Sequence, residues 1–519
     1  MLRISLSLLF TLLGYMFFKA VMSTRKRLPP GPRRLPIIGS THHIPKTQQW
    51  LTFSKWARAY GSIVYLDVVG QTFTVLNSAK VDKELLDQRS NIYSDRPTLP
   101  MANLFSVHHG GGSGYGELFI LQPYGDSWRK QRKVIAQDFS PSTVRRYPLQ
   151  EKEARKLVHG ILDNPSTFAH SVDVIYLTNH RRIGTVIIRV TYGHYVTDEE
   201  DRCFSAPVAA VYNFSQATAP GTWAVDFIPM LKHLPEWVPG ASFLQVAEGW
   251  RGVSYDTSWD PYFWCKKNHE SGNVLLPNLC STALEAAEGW PSKEDEETLV
   301  WAASTVMGGG LDSNASTVQT FFLAMLLHPT VQHKAQKEIE TTIGSDRLPT
   351  IEDRAPYVLP YVRSIMAEVF RWNQAAPLGI PHRLSHDDTY NGMDLPKGSL
   401  VIPNIWHMLH DPEVYSNPMD FDPDRYQNDA EMEKVTDLIF GFGRRAYPGK
   451  AFADGTLFAI ASTVLATCEI LLPVDVQGNK IVQDVAYTSG TTSFPSPFDC
   501  NVKCRSPKAH ELLTQNIAK

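Results

Sequence analysis

Hydrophobic positions along this chain fall into three regimes. Residues 4–22 are apolar with one interior charge, Lys19, near the end of the run. Short stretches of alternating character follow at residues 62–69 and 72–76, and these predict β-strands. Beyond them, apolar residues recur mainly at helical spacing. Helices are predicted over 150–163, at least two within 294–340, then 361–373 and 451–470. The pattern is mainly α with a minor β-sheet region and does not alternate strand and helix, so a doubly wound sheet is excluded.

The first regime predicts an N-terminal transmembrane helix. As a helix it would span roughly 28 Å, close to the hydrocarbon thickness of a bilayer. Arg25, Lys26 and Arg27 follow at once, with Arg33 and Arg34 close behind, against Arg3 on the other side. That asymmetry places the bulk of the chain in the cytosol. A cleaved signal peptide is the alternative, but the run is long for one and no small-residue cleavage site precedes the basic cluster. Residues 1–24 are thus read as a membrane anchor and 25–39 as a basic and proline-rich hinge. Residues 40–505 form one catalytic domain, and 506–519 a C-terminal tail. Within the hinge, Pro29-Pro30-Gly31-Pro32 reads as a stiff spacer.

Composition adds little and excludes some classes. The chain has 519 residues, is 43% hydrophobic and 20% charged, and carries a net charge of −3. No basic footprint for nucleic acid is present. The six cysteines, at 203, 265, 280, 468, 500 and 504, lack zinc-type spacing and read as reduced thiols. Cys468 is expected on the helix over 451–470. His108 and His109 sit in a glycine-rich loop with no third ligand nearby and read as solvated. Two sequons, Asn213-Phe-Ser215 and Asn314-Ala-Ser316, would not meet the glycosylation machinery in a cytosolic domain.

Several pairs carry possible chemistry. Glu368 and Arg371 are three apart, on one helix face. Taken alone they read as a surface ion pair. Arg425 lies in a turn-rich segment, and arginine suits bidentate pairing to a carboxylate. Trp128 and Arg132 are four apart and stack on one face. Gly309-Gly310-Leu311-Asp312-Ser313-Asn314 places a carboxylate and a hydroxyl beside helix glycines; by itself this is a kink with a cap. The last segment is Phe440-Gly-Phe-Gly443-Arg-Arg445-Ala-Tyr447-Pro-Gly449.

That segment resembles the haem-binding loop of the cytochrome P450 family, F-x-x-G-x-R-x-C-x-G, with Tyr447 where the family has its cysteine. With E-x-x-R, P-x-R, W-x-x-x-R and the acid–hydroxyl helix motif in order before it, the chain is similar to that family over nearly its whole length. Flanking text resembles fungal members working in secondary metabolism. The resemblance implies a P450 fold and a haem. Tyr447 takes the axial iron position, normally a cysteine. Phe440, Gly443, Arg445 and Gly449 form the haem loop. Trp128, Arg132 and Arg383 (or His382) bind haem carboxylates, and Asp312 and Ser313 relay protons as catalytic groups. It makes Glu368, Arg371 and Arg425 a structural network under the loop.

The same resemblance implies a monooxygenase-class oxidoreductase acting on a lipophilic small molecule. It would sit in the endoplasmic reticulum membrane by a single pass, face the cytosol and be served by an NADPH-dependent reductase. Arg129, Lys130, Lys133, Arg444 and Lys450 would form a basic docking patch, or are simply solvated. The region 101–121 and the aromatics Phe214, Trp223, Phe227 and Trp237 are candidate contributors to substrate access, or core.

Two features depart from the pattern, Tyr447 and Asn314. A phenolate can ligate ferric haem, but its ordinary pKa near 10 requires the iron to lower it. The alternative function is a Tyr-ligated or haem-free homologue performing redox-neutral catalysis, such as cyclisation, or only small-molecule binding.

Overall fold

The computed structural model describes residues 27–104, 114–140, 148–163, 184–196, 201–218, 222–274, 277–286, 291–483 and 485–518. The expected anchor and the loop histidines His108 and His109 lie outside these residues. Among the described residues, no helix is long and apolar enough to cross a membrane.

The chain gathers into two compact units, each discontinuous in sequence. The first holds the described residues up to Pro97 together with Leu378–Met408 and Phe442–Arg445. Helix α1 (Gln49–Tyr60) covers a four-stranded sheet of order β1 (Ile63–Val68), β2 (Gln71–Leu76), β6 (Leu400–Pro403) and β3 (His382–Arg383). Strands β1 and β2 form an antiparallel hairpin, and β2 runs parallel to β6 with Phe73 opposite Leu400. A separate hairpin joins β4 (Asp388–Tyr390) to β5 (Met393–Leu395). Phe53, Val64, Leu66 and Val75 form the buried core between α1 and the sheet. The proline spacer is docked rather than free. The Tyr65 N–H donates to the Pro30 carbonyl at 2.9 Å. A Cβ on Gly31 would stand 2.0 Å from the Tyr65 carbonyl oxygen, so only glycine fits there.

The second unit is helical. Its main elements are α2 (Asp126–Phe139), α3 (Leu149–Asp163), α4 (Arg202–Ala217), α5 (Ser242–Glu270), α6 (Leu279–Ala286), α7 (Lys293–Leu327), α8 (Pro329–Thr342), α9 (Pro360–Trp372), α10 (Asp429–Ile439), α11 (Lys450–Thr467) and α12 (Pro507–Ala518). The expected pair within 294–340 resolves as α7 and α8, separated at His328 because Pro329 opens a new helix. The start of α7 is capped by Ser292, whose Oγ accepts from Asp295 N–H, with Glu294, Asp295 and Glu296 in the first turn. Apolar residues surround its C-terminal half, the signature of a central core helix.

One boundary differs from expectation. The helix predicted to reach residue 470 ends at Thr467, and Cys468–Leu471 form β7, paired antiparallel to β8 (Asn501–Cys504). Cys468 is therefore a buried strand residue, opposite Cys504. Both thiols are free, as are the other four. The sequons are closed by packing: Asn213 and Asn314 are buried.

Candidate active site

The loop that carries Tyr447 begins where α10 ends. Phe440 caps that helix, its N–H donating to the Thr436 carbonyl at 3.2 Å. The Tyr447 N–H returns to the Phe440 carbonyl at 2.7 Å, closing the loop. The two rings lie nearly parallel, centroids 6.3 Å apart at 10°. Beyond the loop, Gly449 caps α11.

Tyr447 points at the central helix. A methyl group on Gly309 of α7 would meet its Cε2 at 3.7 Å and Oη at 4.0 Å, an ordinary contact distance. On its other edge, a Cβ on Gly449 would crowd the same ring at 2.9–3.1 Å. The phenol therefore stands between the start of α11 and the middle of α7. Neighbouring atoms cover the ring only in part, yet it sits deep. Burial pushes its phenol up to about 12.

The same turn of α7 holds the predicted acid and hydroxyl. Asp312 is buried. Ser313 Oγ donates to the Gly309 carbonyl at 2.8 Å and Asn314 Nδ2 to the Gly310 carbonyl at 2.7 Å. Both side chains thus bond back into their own helix, which loosens its interior ladder. Gly310 allows a close crossing: a Cβ there would be 2.7 Å from Ile187 Cδ1, in the helical residues 184–192.

Trp128 and Arg132 lie on α2 as expected. Trp128 is buried, stacked on Phe119 with centroids 5.3 Å apart, and the Arg132 guanidinium lies 5.6 Å from its ring. Arg132 Nη1 donates to the Ala446 carbonyl at 2.9 Å, the residue before Tyr447. Burial lowers its pKa.

In the first unit, Gly443 adopts φ +52°, and a Cβ there would strike the Leu86 carbonyl at 2.3 Å. Its N–H donates to the Asp87 carboxylate. Buried Arg445 donates from Nε to the Ser94 carbonyl at 2.7 Å. Arg96 is also buried and donates to the Ile380 and Pro381 carbonyls. Burial first, then the charge of Arg445, holds Arg96 well below the usual guanidinium range, against a smaller opposing effect of Asp95. His382 is buried with Nδ1 2.8 Å from the Tyr93 carbonyl; burial, then Arg96 and Arg445, keeps its imidazole neutral. Its neighbour Arg383 is exposed and faces Asp95 at 3.9 Å. Of the two alternatives in that dipeptide, His382 is the buried one. Arg96 was not found from sequence, since no spacing or periodicity marks it.

The structural network closes fully in the second unit. Glu368 and Arg371 are both 0% exposed and share two hydrogen bonds of 2.8 Å. Arg425 Nε donates to Glu368 Oε1 at 3.0 Å and Tyr426 Oη to Oε2 at 2.9 Å. Arg371 also donates to the carbonyls of Leu409, Pro418 and Asp420. Burial opposes its charge, but the Glu368 carboxylate wins and raises its pKa. The exposed-ion-pair alternative for this motif is thereby replaced by a buried network. Tyr426 is the member that sequence reasoning missed.

The basic patch is partly neutralised. Arg129 pairs with Asp126, Lys130 with Glu294 and Lys450 with Asp437. Of the access aromatics, Trp237 is 82% exposed, whereas Phe214 packs edge-on against Tyr115.

The cationic groups Arg96 and Arg445 suit carboxylates that must be held out of water. At position 447 the chain offers a phenol and no thiol.

Comparisons with known proteins agree with this architecture. The cytochrome P450 family model matches residues 29–493. Cytochrome P450 monooxygenase 105 of Postia placenta is 49% identical over 95% of this chain and 92% of its own length. Cytochrome P450 monooxygenase claR of Ampulloclitocybe clavipes is 38% identical over 94% and 88%. A zebra fish cytochrome P450, solved with abiraterone, superposes with TM-score 0.66 at 20% identity, covering 88% of this chain and all of that one. With a family model spanning most of its length and relatives at this identity, the chain belongs to the cytochrome P450 family.

Proposed function

We propose that this protein is a P450-type haem oxidoreductase of the monooxygenase class, acting on a lipophilic small molecule in secondary metabolism. Relatives named as monooxygenases, one at 49% identity over 95% of the chain, support the class. The observation that carries a haem role within this chain is the buried arginine pair Arg96 and Arg445. A guanidinium held down by burial and then by the charge of Arg445 is placed to favour an anionic group beside it. A bound haem supplies oxygen activation in this family. Arg96 and Arg445 would hold its carboxylates, with Trp128 and Arg132 retained as further candidates on their sequence pattern. Asp312 and Ser313 are the proposed proton-relaying groups. Residues 4–22 support a single-pass anchor in the endoplasmic reticulum membrane, and an NADPH-dependent reductase is the proposed electron donor.

A second reading rests on Tyr447 alone. Its ring, which a methyl added to Gly309 would meet at 3.7 Å, favours a protein whose axial position is self-filled, ligating iron through the phenol only if the ring moves, or holding no haem. One measurement separates the two. Haem stoichiometry and the ferrous–CO spectrum of the purified full-length protein are expected to show one haem per chain without a thiolate-type band. A chain purified from haem-supplemented cells with no bound haem would overturn the oxidoreductase reading and leave the second.

A further inference from the structure

Away from the loop and the central helix, three metal-type donors meet where α4 begins. His194 Nε2 and Asp201 Oδ2 are 2.7 Å apart, and the Cys203 thiol joins them. One ligand atom from each lies within 4.8 Å of the others. Ligands of a tetrahedral zinc ion, at about 2.0–2.3 Å from the metal, stand roughly 3.3–3.8 Å apart. To enclose an ion, His194 Nε2 and Asp201 Oδ2 would move apart by about 0.6 Å or a little more and the Cys203 thiol would draw in.

Two of the donors are already oriented by another contact. The His194 ring is held edge-on by Trp264, centroids 4.5 Å apart at 80°. The other carboxylate oxygen of Asp201 accepts the Cys203 N–H at 2.9 Å, which fixes the turn into α4. Among the described residues His194 Nδ1 is buried with no hydrogen-bond partner. His194 and Asp201 side chains are 15% and 11% exposed, shielded yet reachable by an ion.

The local field favours a cation. The carboxylates of Asp201 and Asp260 both act on the Cys203 thiol electrostatically. Arg202 is itself tied to Asp256 at 2.9 Å. One thiol, one imidazole and one carboxylate form a borderline-soft donor set, which suits zinc over magnesium or calcium.

We propose that His194, Asp201 and Cys203 form a zinc(II) site, with solvent as the fourth ligand. Binding exchanges the thiol proton for the metal, leaving a thiolate–zinc bond and releasing a proton to solvent. The ion would tie the segment after helical residues 184–192 to the start of α4, a structural rather than a redox role. A second donor group, His159, Asp163 and His510, has two exposed members and no sulfur, and serves as the control.

The test uses the full chain, with zinc(II) as the probe in equilibrium dialysis after chelator treatment. The expected result is one tightly held zinc per chain, lost in Cys203→Ser and in His194→Gln and retained in His510→Ala. Zinc should also protect one of the six cysteines from a thiol reagent in the parent and none in Cys203→Ser. Equal zinc content in all variants, or loss only in His510→Ala, would overturn the proposal. Should the variants fail to fold, cobalt(II) loading of the parent decides. A sulfur-to-cobalt charge-transfer band is expected, and cobalt binding without that band would overturn the site.

Discussion

The ring of Tyr447 lies parallel to that of Phe440, centroids 6.3 Å apart, while its N–H donates to the Phe440 carbonyl. Backbone and side chain thus serve different ends of one loop. The backbone bond depends on no particular side chain at 447, so the loop keeps its shape whatever residue stands there. The side chain alone decides what fills the space toward α7.

Tyr447→Cys is therefore expected to preserve the loop and vacate the space that faces Gly309. Without haem, losing a half-buried aromatic ring should cost up to about 3 kcal/mol, the lower end of large-to-small aromatic core substitutions. With haem supplied, the variant should recover that loss and show a thiolate-type ferrous–CO band that the parent lacks. Thermal unfolding with and without haem, read beside the spectrum, checks both halves. A parent with the same band would refute the reading of this position.

The glycines of α7 give opposite expectations at adjacent positions. Gly309→Ala places its methyl 3.7 Å from Tyr447, where it packs without strain, and gains helix propensity of up to about 1 kcal/mol. Gly310→Ala drives its methyl to 2.7 Å from the buried Ile187 Cδ1, an overpacking cost of about 1–3 kcal/mol. Denaturant unfolding should rank Gly309→Ala above the parent and Gly310→Ala below it.

Much of this was legible in the chain. The helix periodicities over 150–163 and 361–373 predicted α3 and α9 to within a residue or so, because an apolar face must repeat to be buried. Glu368, Arg371 and Arg425 were readable because they are short motifs in fixed order. What escaped depends on partners distant in sequence. Thr467 ends its helix because Cys468–Leu471 pair with a strand about thirty residues later, which no local window shows. Arg96 joins Arg445 through the fold alone. His194, Asp201 and Cys203 are close in sequence, but histidine, aspartate and cysteine at that spacing match no metal motif, so only the fold shows that they meet.

Glu368 offers a measure of the buried network. Glu368→Gln keeps the shape but removes the charge that holds two arginines, one of them 0% exposed. Breaking a buried pair on one side costs about 3–5 kcal/mol. Tyr426→Phe removes one hydrogen bond to the same carboxylate and should cost about 1.5–3 kcal/mol. Equilibrium unfolding of both variants is expected to preserve that order; a Glu368→Gln variant as stable as the parent would show that the network carries no net stability.

Asp226 makes stability depend on pH. Burial raises its carboxyl to about 6, against the Met101 N–H that donates to Oδ1 at 2.9 Å and favours the charged form. A raised folded pKa means the folded state holds this proton more tightly than the unfolded chain, whose carboxyl titrates near 3.9. The contribution of this group is therefore most favourable below about pH 4 and is lost as pH rises to about 6. Above that it is a constant penalty of roughly 3 kcal/mol at most, since each pKa unit is about 1.4 kcal/mol. Asp226→Asn removes the titration while leaving an oxygen to accept from Met101. Unfolding midpoints at pH 4.5 and 7.5 should differ less in the variant than in the parent, and the variant should be the more stable at pH 7.5. An unchanged difference between the two pH values would show that Asp226 ionises freely in the folded protein.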